Sequence, residues 1–180
     1  MSTIIFEAHG TTSDNEAHLA SGFNDVALSP LGETQARELG ERYEGEHFDA
    51  IFCSDLLRSY KTAEIAFPHL LGVQPLTIIK DSRLRECDYG DMTQSTSTLI
   101  DAEKPLRINT KFPNGESYTD TNARMKEFLD ELSKNYDGKR VMIVGHRATQ
   151  YALDYFLKNI PLEQSVSTPF KWQPGWEYNI

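Results

Sequence analysis

Short β-rich runs alternate along this chain with longer stretches of helical periodicity, and that alternation limits it to an α/β arrangement. Thr3 to Ala8 reads as a first strand. Ser29-Pro30 then offers an N-cap followed by proline at the first helical position. The helix that follows places Leu31, Ala36, Leu39 and Tyr43 on or near one face, with Gly45 as its stop. Asp49 to Ser54 reads as a second buried strand, Leu56 to Phe67 as a helix ended by Pro68, and Leu76 to Lys80 as a third strand. The stretch from 88 to 116 is expected to be irregular, a length of loop that usually serves function. Tyr118 to Tyr136 is helical by its spacing of Met125, Phe128, Leu129 and Leu132. Arg140 to Gly145 is a buried strand, with a helix near Thr149 to Leu157. The tail, with Phe170, Trp172, Trp176 and Tyr178 around Pro174-Gly175, reads as two extended pieces about a turn, packing aromatics on the domain edge. The expected architecture is one domain over 1–180, a three-layer α/β/α sandwich with a mostly parallel sheet.

Charge narrows the partners. A net charge of −9 argues against a basic nucleic-acid surface, so a phosphate-bearing ligand has to be held by local cations against an unfavourable overall field. The first residues carry no basic segment or long apolar core, and no stretch approaches the ~20 apolar residues of a spanning helix. No membrane partner is therefore expected, and the cytoplasm is the simplest address. Cys53 ends an apolar run and reads as a small core residue.

Two segments share one layout: Phe6-Glu7-Ala8-His9-Gly10 and Ile143-Val144-Gly145-His146-Arg147 each end a buried strand in histidine beside glycine. Open parallel sheets collect ligands at the carboxyl ends of their strands. If the two strands are neighbours, the two imidazoles face one pocket. A lone histidine in such a place would more often be a packing residue; a matched pair favours function. Together with Glu86 they match no compact zinc spacing, and His18, His47 and His69 sit in expected helices or loops, so neither metal nor cofactor is expected.

The stretch His9-Gly10-Thr11-Thr12-Ser13-Asp14-Asn15 resembles the first motif of the histidine phosphatase superfamily and its cofactor-dependent phosphoglycerate mutases. The similarity continues through Gly22-Phe23-Asn24-Asp25, Leu28-Ser29-Pro30-Leu31-Gly32 and Gln35-Ala36. Ser54-Asp55-Leu56-Leu57-Arg58-Ser59-Tyr60-Lys61-Thr62-Ala63-Glu64 is similar to a second motif, Leu84-Arg85-Glu86-Cys87-Asp88-Tyr89-Gly90 to an acid-bearing loop, Gly115-Glu116-Ser117 to a later helix start, and Gly145-His146 to the last motif. The resemblance implies a phosphoglycerate-mutase-like fold and phosphomonoester hydrolysis through a phosphohistidine on His9. In that reading His146 is the second catalytic histidine, Glu86 the proton donor and acceptor, and Arg58, Asn15 and His146 the phosphate binders. The chemistry agrees with it: a neutral imidazole, with a pKa near ~6.5, is a competent nucleophile near neutrality, and a guanidinium grips two phosphate oxygens at once.

One residue departs from the resembled motif. Ala8 stands where the family carries arginine before its nucleophilic histidine. Another cation can substitute, and Arg147, directly after His146, is the most economical candidate, with Arg85 a second; alternatively the change is an introduced one, or the chain is a weak catalyst kept for binding. Three functions follow: a phosphatase acting on a small phosphorylated substrate, a mutase-type phosphoryl transferase, and a non-catalytic phospho-ligand-binding module. Within 88–116, which is expected to cover the substrate, Lys104, Arg107 and Lys111 either face an acidic substrate or are solvated loop charges. The aromatic tail leaves a homodimer open.

Overall fold

A computed structural model describes residues 1–68 and 78–180. The element order is β1 (Thr3–Ala8), α1 (Ser13–Glu16), α2 (Pro30–Arg42), β2 (Ala50–Cys53), α3 (Leu57–Ala66), β3 (Ile78–Lys80), α4 (Ser97–Glu103), α5 (Tyr118–Asn135), β4 (Arg140–Gly145), α6 (Arg147–Lys158), α7 (Leu162–Ser167) and β5 (Trp176–Asn179). Among the described residues the strands make one sheet ordered β3-β2-β4-β1-β5, parallel except for β5, which runs antiparallel to β1.

Strand residues alternate between two faces of the sheet, and each face has its own helical cover. Ile4, Phe6, Phe52, Val141 and Ile143 pack with Met125, Phe128, Leu129 and Leu132 of α5 and with Ala152 and Leu153 of α6. Ile5, Ile51, Cys53, Met142 and Val144 pack on the opposite side with Leu39 of α2 and with Ala63 and Ala66 of α3. These are the three expected layers. Near-continuous apolar β4 is what a strand buried on both faces requires. Cys53 and Cys87 are both buried and free, and burial pushes the Cys53 thiol up to about 12.

Several local expectations change. The 88–116 stretch is partly helical: α4 and two short 3-10 turns, Gly90–Met92 and Lys104–Arg107, sit over a third apolar cluster formed by Tyr89, Ile100, Ile108, Phe112, Tyr118 and Tyr151. Its polar composition hid this, because Thr96 and the residues after it serve as helix cap and exposed face; the Thr96 hydroxyl accepts from Leu99 N at 3.3 Å. The last long helix begins at Arg147, directly after His146, and α7 follows it. The tail forms one strand, not two: Trp176 and Tyr178 are buried against β1, while Phe170 and Trp172 stay exposed. Leu76, Thr77 and His69 lie outside the described residues. Among the described residues no helix is long and apolar enough to cross a membrane.

Candidate active site

Because β1 and β4 are adjacent and in register, with Ala8 opposite Gly145, their C-terminal ends deliver His9 and His146 to the same place. The pairing runs one residue further, His9 N donating to Gly145 O at 3.0 Å. The two ring centroids are 5.0 Å apart. Both rings line a cavity of about 700 Å³ together with Asn15, Arg58, Glu86 and Arg147. All six residues expected from the sequence thus share one space.

The loop after β1 is held against α2 by main-chain proximity. A Cβ on Gly10 would come 2.5 Å from Gly32 O, and one on Gly32 would come 2.0 Å from Thr11 O, so the approach requires glycine at both positions. Gly10 N donates to Thr62 Oγ1 at 2.9 Å, and Thr11 N to Gln35 Oε1 at 2.8 Å. The loop therefore arrives with its donors already engaged.

His9 Nδ1 lies 2.7 Å from Gly10 O, a carbonyl that can only accept. Nδ1 therefore carries the proton and Nε2 the lone pair. Burial and then the nearby Arg58 charge hold the His9 ring down at about 3, far below the ordinary 6.5, so it is neutral at physiological pH. His146, 1 % exposed, is held well below its usual value by burial first, then by Arg58 and His9. Its Nε2 is 2.7 Å from Ser54 Oγ, while Nδ1 is buried with no hydrogen-bond partner among the described residues. An unpaired buried polar atom costs about 1–3 kcal/mol, and this one lies on a residue that lines the cavity.

Arg58 sits in the first turn of α3 and is 2 % exposed. Its Nη1 donates to Asn24 O at 3.0 Å and its Nη2 to Gly22 O at 2.8 Å. Neutral carbonyls orient the guanidinium without cancelling its charge. Asn15 completes the capping box that opens α1: its Oδ1 accepts from Thr12 N at 3.0 Å, leaving Nδ2 as a donor.

Glu86 is held by backbone amides rather than by the neighbouring arginines. Oε1 accepts from Cys87 N at 2.8 Å and from Ala148 N at 3.2 Å, and Oε2 from Arg147 N at 3.1 Å. Arg83 pairs with Asp81 and Glu131, and Arg85 makes a two-pronged pair with Asp55 at 2.7 and 2.6 Å. Arg85 is therefore committed elsewhere. The Arg147 side chain lines the cavity, but its guanidinium donates to Gln150 Oε1 at 2.6 Å and Thr168 O at 3.1 Å and is stacked between Tyr151 and Phe170.

Two supporting residues carried no expected role. Ser54 directly follows β2, so its place at a strand's carboxyl end was the available signal. Arg124 of α5 donates to the carbonyls of Arg83, Arg85 and Glu86 and to Glu116, clamping the acid-bearing loop. Nothing in its helical context marked it. Of the three loop cations, only Lys104 lines the cavity, with its side chain 12 % exposed and paired to Asp101. Arg107 pairs with Glu103, and Lys111 with Asp120. No group of three or more His, Cys, Asp or Glu residues able to hold a metal occurs among the described residues.

The model of the histidine phosphatase superfamily (branch 1) matches 4–171. The chain is 32 % identical over 159 residues to the uncharacterized phosphatase PhoE of Bacillus subtilis, covering 85 % of this chain and 76 % of that protein. It is 32 % identical over 177 residues to a 2,3-bisphosphoglycerate-dependent phosphoglycerate mutase of Allorhizobium ampelinum, covering 92 % and 83 %. The solved structure of YhfR from Bacillus stearothermophilus superimposes with a TM-score of 0.83 at 27 % identity, covering 98 % of this chain and 90 % of that one. The chain belongs to the histidine phosphatase superfamily.

Proposed function

We propose that this protein is a phosphatase that hydrolyses small phosphomonoesters through a phosphohistidine on His9. The observation that carries the reading is the convergence on one cavity of a neutral His9 ring with a free Nε2, a buried Arg58 charge and the unpartnered Nδ1 of His146.

In the first step the Nε2 lone pair of His9 forms a bond to phosphorus as the ester P–O bond breaks, and Glu86 passes a proton to the leaving oxygen. Arg58 neutralises charge on the phosphoryl oxygens, and Asn15 Nδ2 and His146 donate to them. Ser54 Oγ donating to Nε2 of the neutral His146 ring would leave Nδ1–H as its donor to phosphate. In the second step Glu86 takes a proton from water, the resulting hydroxide attacks phosphorus, and the N–P bond breaks to release inorganic phosphate. No metal enters this scheme. Arg147 serves through its amide, which holds Glu86, and its side chain closes the rim. The 88–116 segment, through Ser97, Ile100, Asp101 and Lys104, covers the bound ester.

Rapid quenching of the enzyme with phosphorus-labelled p-nitrophenyl phosphate tests this. Acid-labile, base-stable label on the wild type, lost in His9→Asn along with turnover, is expected. Turnover that survives His9→Asn without any labelled enzyme overturns the reading. A mutase shares the same intermediate, and the identity to a mutase favours that as a second reading. Product analysis with 3-phosphoglycerate and a bisphosphoglycerate primer separates the two, by phosphate release or by isomerisation.

A further inference from the structure

The cavity extends past the phosphoryl centre along the edge of β1. The last β1 residue paired with β5 is Phe6, opposite Trp176, and the chain turns away at Gly175 with φ of +64°. Beyond that point the cavity wall is made by Glu7 and Ala8 of β1, Glu38 and Arg42 of α2, and Phe170 and Trp172 of the tail.

Glu7 is only 1 % exposed, and its Oε1 accepts from Tyr43 Oη at 2.9 Å and from Arg42 Nη2 at 3.2 Å. The Arg42 guanidinium lies 5.6 Å from the centre of the Trp172 ring. Its Nε and Nη1 have no hydrogen-bond partner among the described residues, and neither has Nε2 of Gln35, whose Oε1 is used by Thr11 N. Trp172 is 56 % exposed and offers ring surface to a ligand, while the Phe170 ring is taken up by the Arg147 guanidinium 4.8 Å from its centre and by Trp176 stacked on it.

The chemistry of this wall selects its occupant. Glu7 and Arg42 neutralise each other, and Glu38 leaves the edge negative, which disfavours a second anionic group. What remains is a set of free donors, an acceptor carboxylate and the exposed ring of Trp172. Hydroxyl groups both donate and accept, so they satisfy such a mixture, and the C–H face of a ring lies well on an aromatic side chain.

We propose that this edge of the cavity binds the hydroxylated ring of a sugar, making phosphorylated sugars the substrate class; the inference rests on the phosphatase reading for the position of the phosphoryl group. Calorimetric titration of glucose 6-phosphate, 3-phosphoglycerate and inorganic phosphate into the wild type, Trp172→Ala and Trp172→Phe tests it, beside turnover of glucose 6-phosphate. The sugar ester is expected to bind about tenfold more tightly than phosphate. Trp172→Ala removes that advantage without changing phosphate affinity, and Trp172→Phe restores most of it. Equal affinity of the wild type for the sugar ester and phosphate, tighter binding of 3-phosphoglycerate than of the sugar ester, or equal weakening of all three ligands by Trp172→Ala overturns the proposal. If the expected affinities appear without phosphate release, hydrolysis is lost and the sugar site stands. If inorganic phosphate does not bind, both fall.

Discussion

Glu86 accepts a hydrogen bond from the main-chain amide of Arg147 at 3.1 Å, while the side chain of Arg147 is turned to Gln150 and Thr168. The contact to the proposed acid survives any substitution that keeps α6 intact. Arg147→Ala is accordingly expected to lower kcat by less than about tenfold. Arg58→Ala, which removes the buried charge, is expected to lower it by about a hundredfold or more, since each hydrogen bond to a charged group is worth about 1.5–3 kcal/mol. Steady-state kinetics on p-nitrophenyl phosphate compares the two; an equal loss in both variants contradicts this division of roles.

Ala8 sits opposite Gly145 at the end of β1 and lines the cavity. Ala8→Arg would add a second guanidinium beside His9. The expected result is a tenfold to few-hundredfold gain in kcat on a compact ester, if the new contact strengthens in the transition state. An unchanged or lower kcat would mean that the site already has all the positive charge it can use.

The His9 ring, held down at about 3, should not change protonation between pH 5 and 8 in the empty enzyme. Carbon-labelled histidine observed by NMR, assigned with His9→Asn, checks this. A His9 resonance titrating near 6.5 is the contrary result. The thermodynamic consequence has a definite sign. Between about 6.5 and 3 the unfolded chain binds a proton that the folded chain refuses, so stability is lost as pH falls through that window. His146, lowered in the same direction, adds to the loss.

Glu7 behaves oppositely. Burial raises it above its ordinary 4.5, despite the opposing influence of Arg42 and Tyr43. A raised carboxyl favours folding when protonated, so its contribution is fully present below pH 4.5 and is lost as pH rises through the raised value. Glu7→Gln keeps an acceptor for Tyr43 and removes the charge. It should raise Tm at pH 7.5, by about 2–4 °C per kcal/mol of relief for a domain of this size, with the gain shrinking towards pH 4.5. Differential scanning calorimetry at both pH values decides; a lower Tm at pH 7.5 shows that the Arg42 pair outweighs burial.

Elements are most legible in the chain where one periodicity suffices. Val141-Met142-Ile143-Val144 is apolar on both sides of the strand, and that alone marks β4 as buried. Ser29 and Pro30 announced the start of α2, where Gly32 N donates to Ser29 Oγ at 3.2 Å. The 88–116 stretch reads as irregular because its helices bury few residues each: α4 buries only Ile100. So sparse an apolar pattern falls below what periodicity can register, and long-range packing on Tyr118 and Tyr151 supplies the missing stabilisation.

The linear chain by itself determined the layered α/β architecture and the identity of the two histidines, because strand burial and strand ends are written in local patterns of apolar residues and glycine. It did not determine which cation meets which carboxylate. Arg147 is the more economical partner for phosphate by its place after His146 and Arg85 the second, and Arg42 carries no signal at all. Side-chain direction at a site depends on which neighbours offer acceptors, and those neighbours come from segments far apart in the chain. Folding turned the Arg147 guanidinium to Thr168, joined Arg85 to Asp55 and set Arg42 between Glu7 and Trp172.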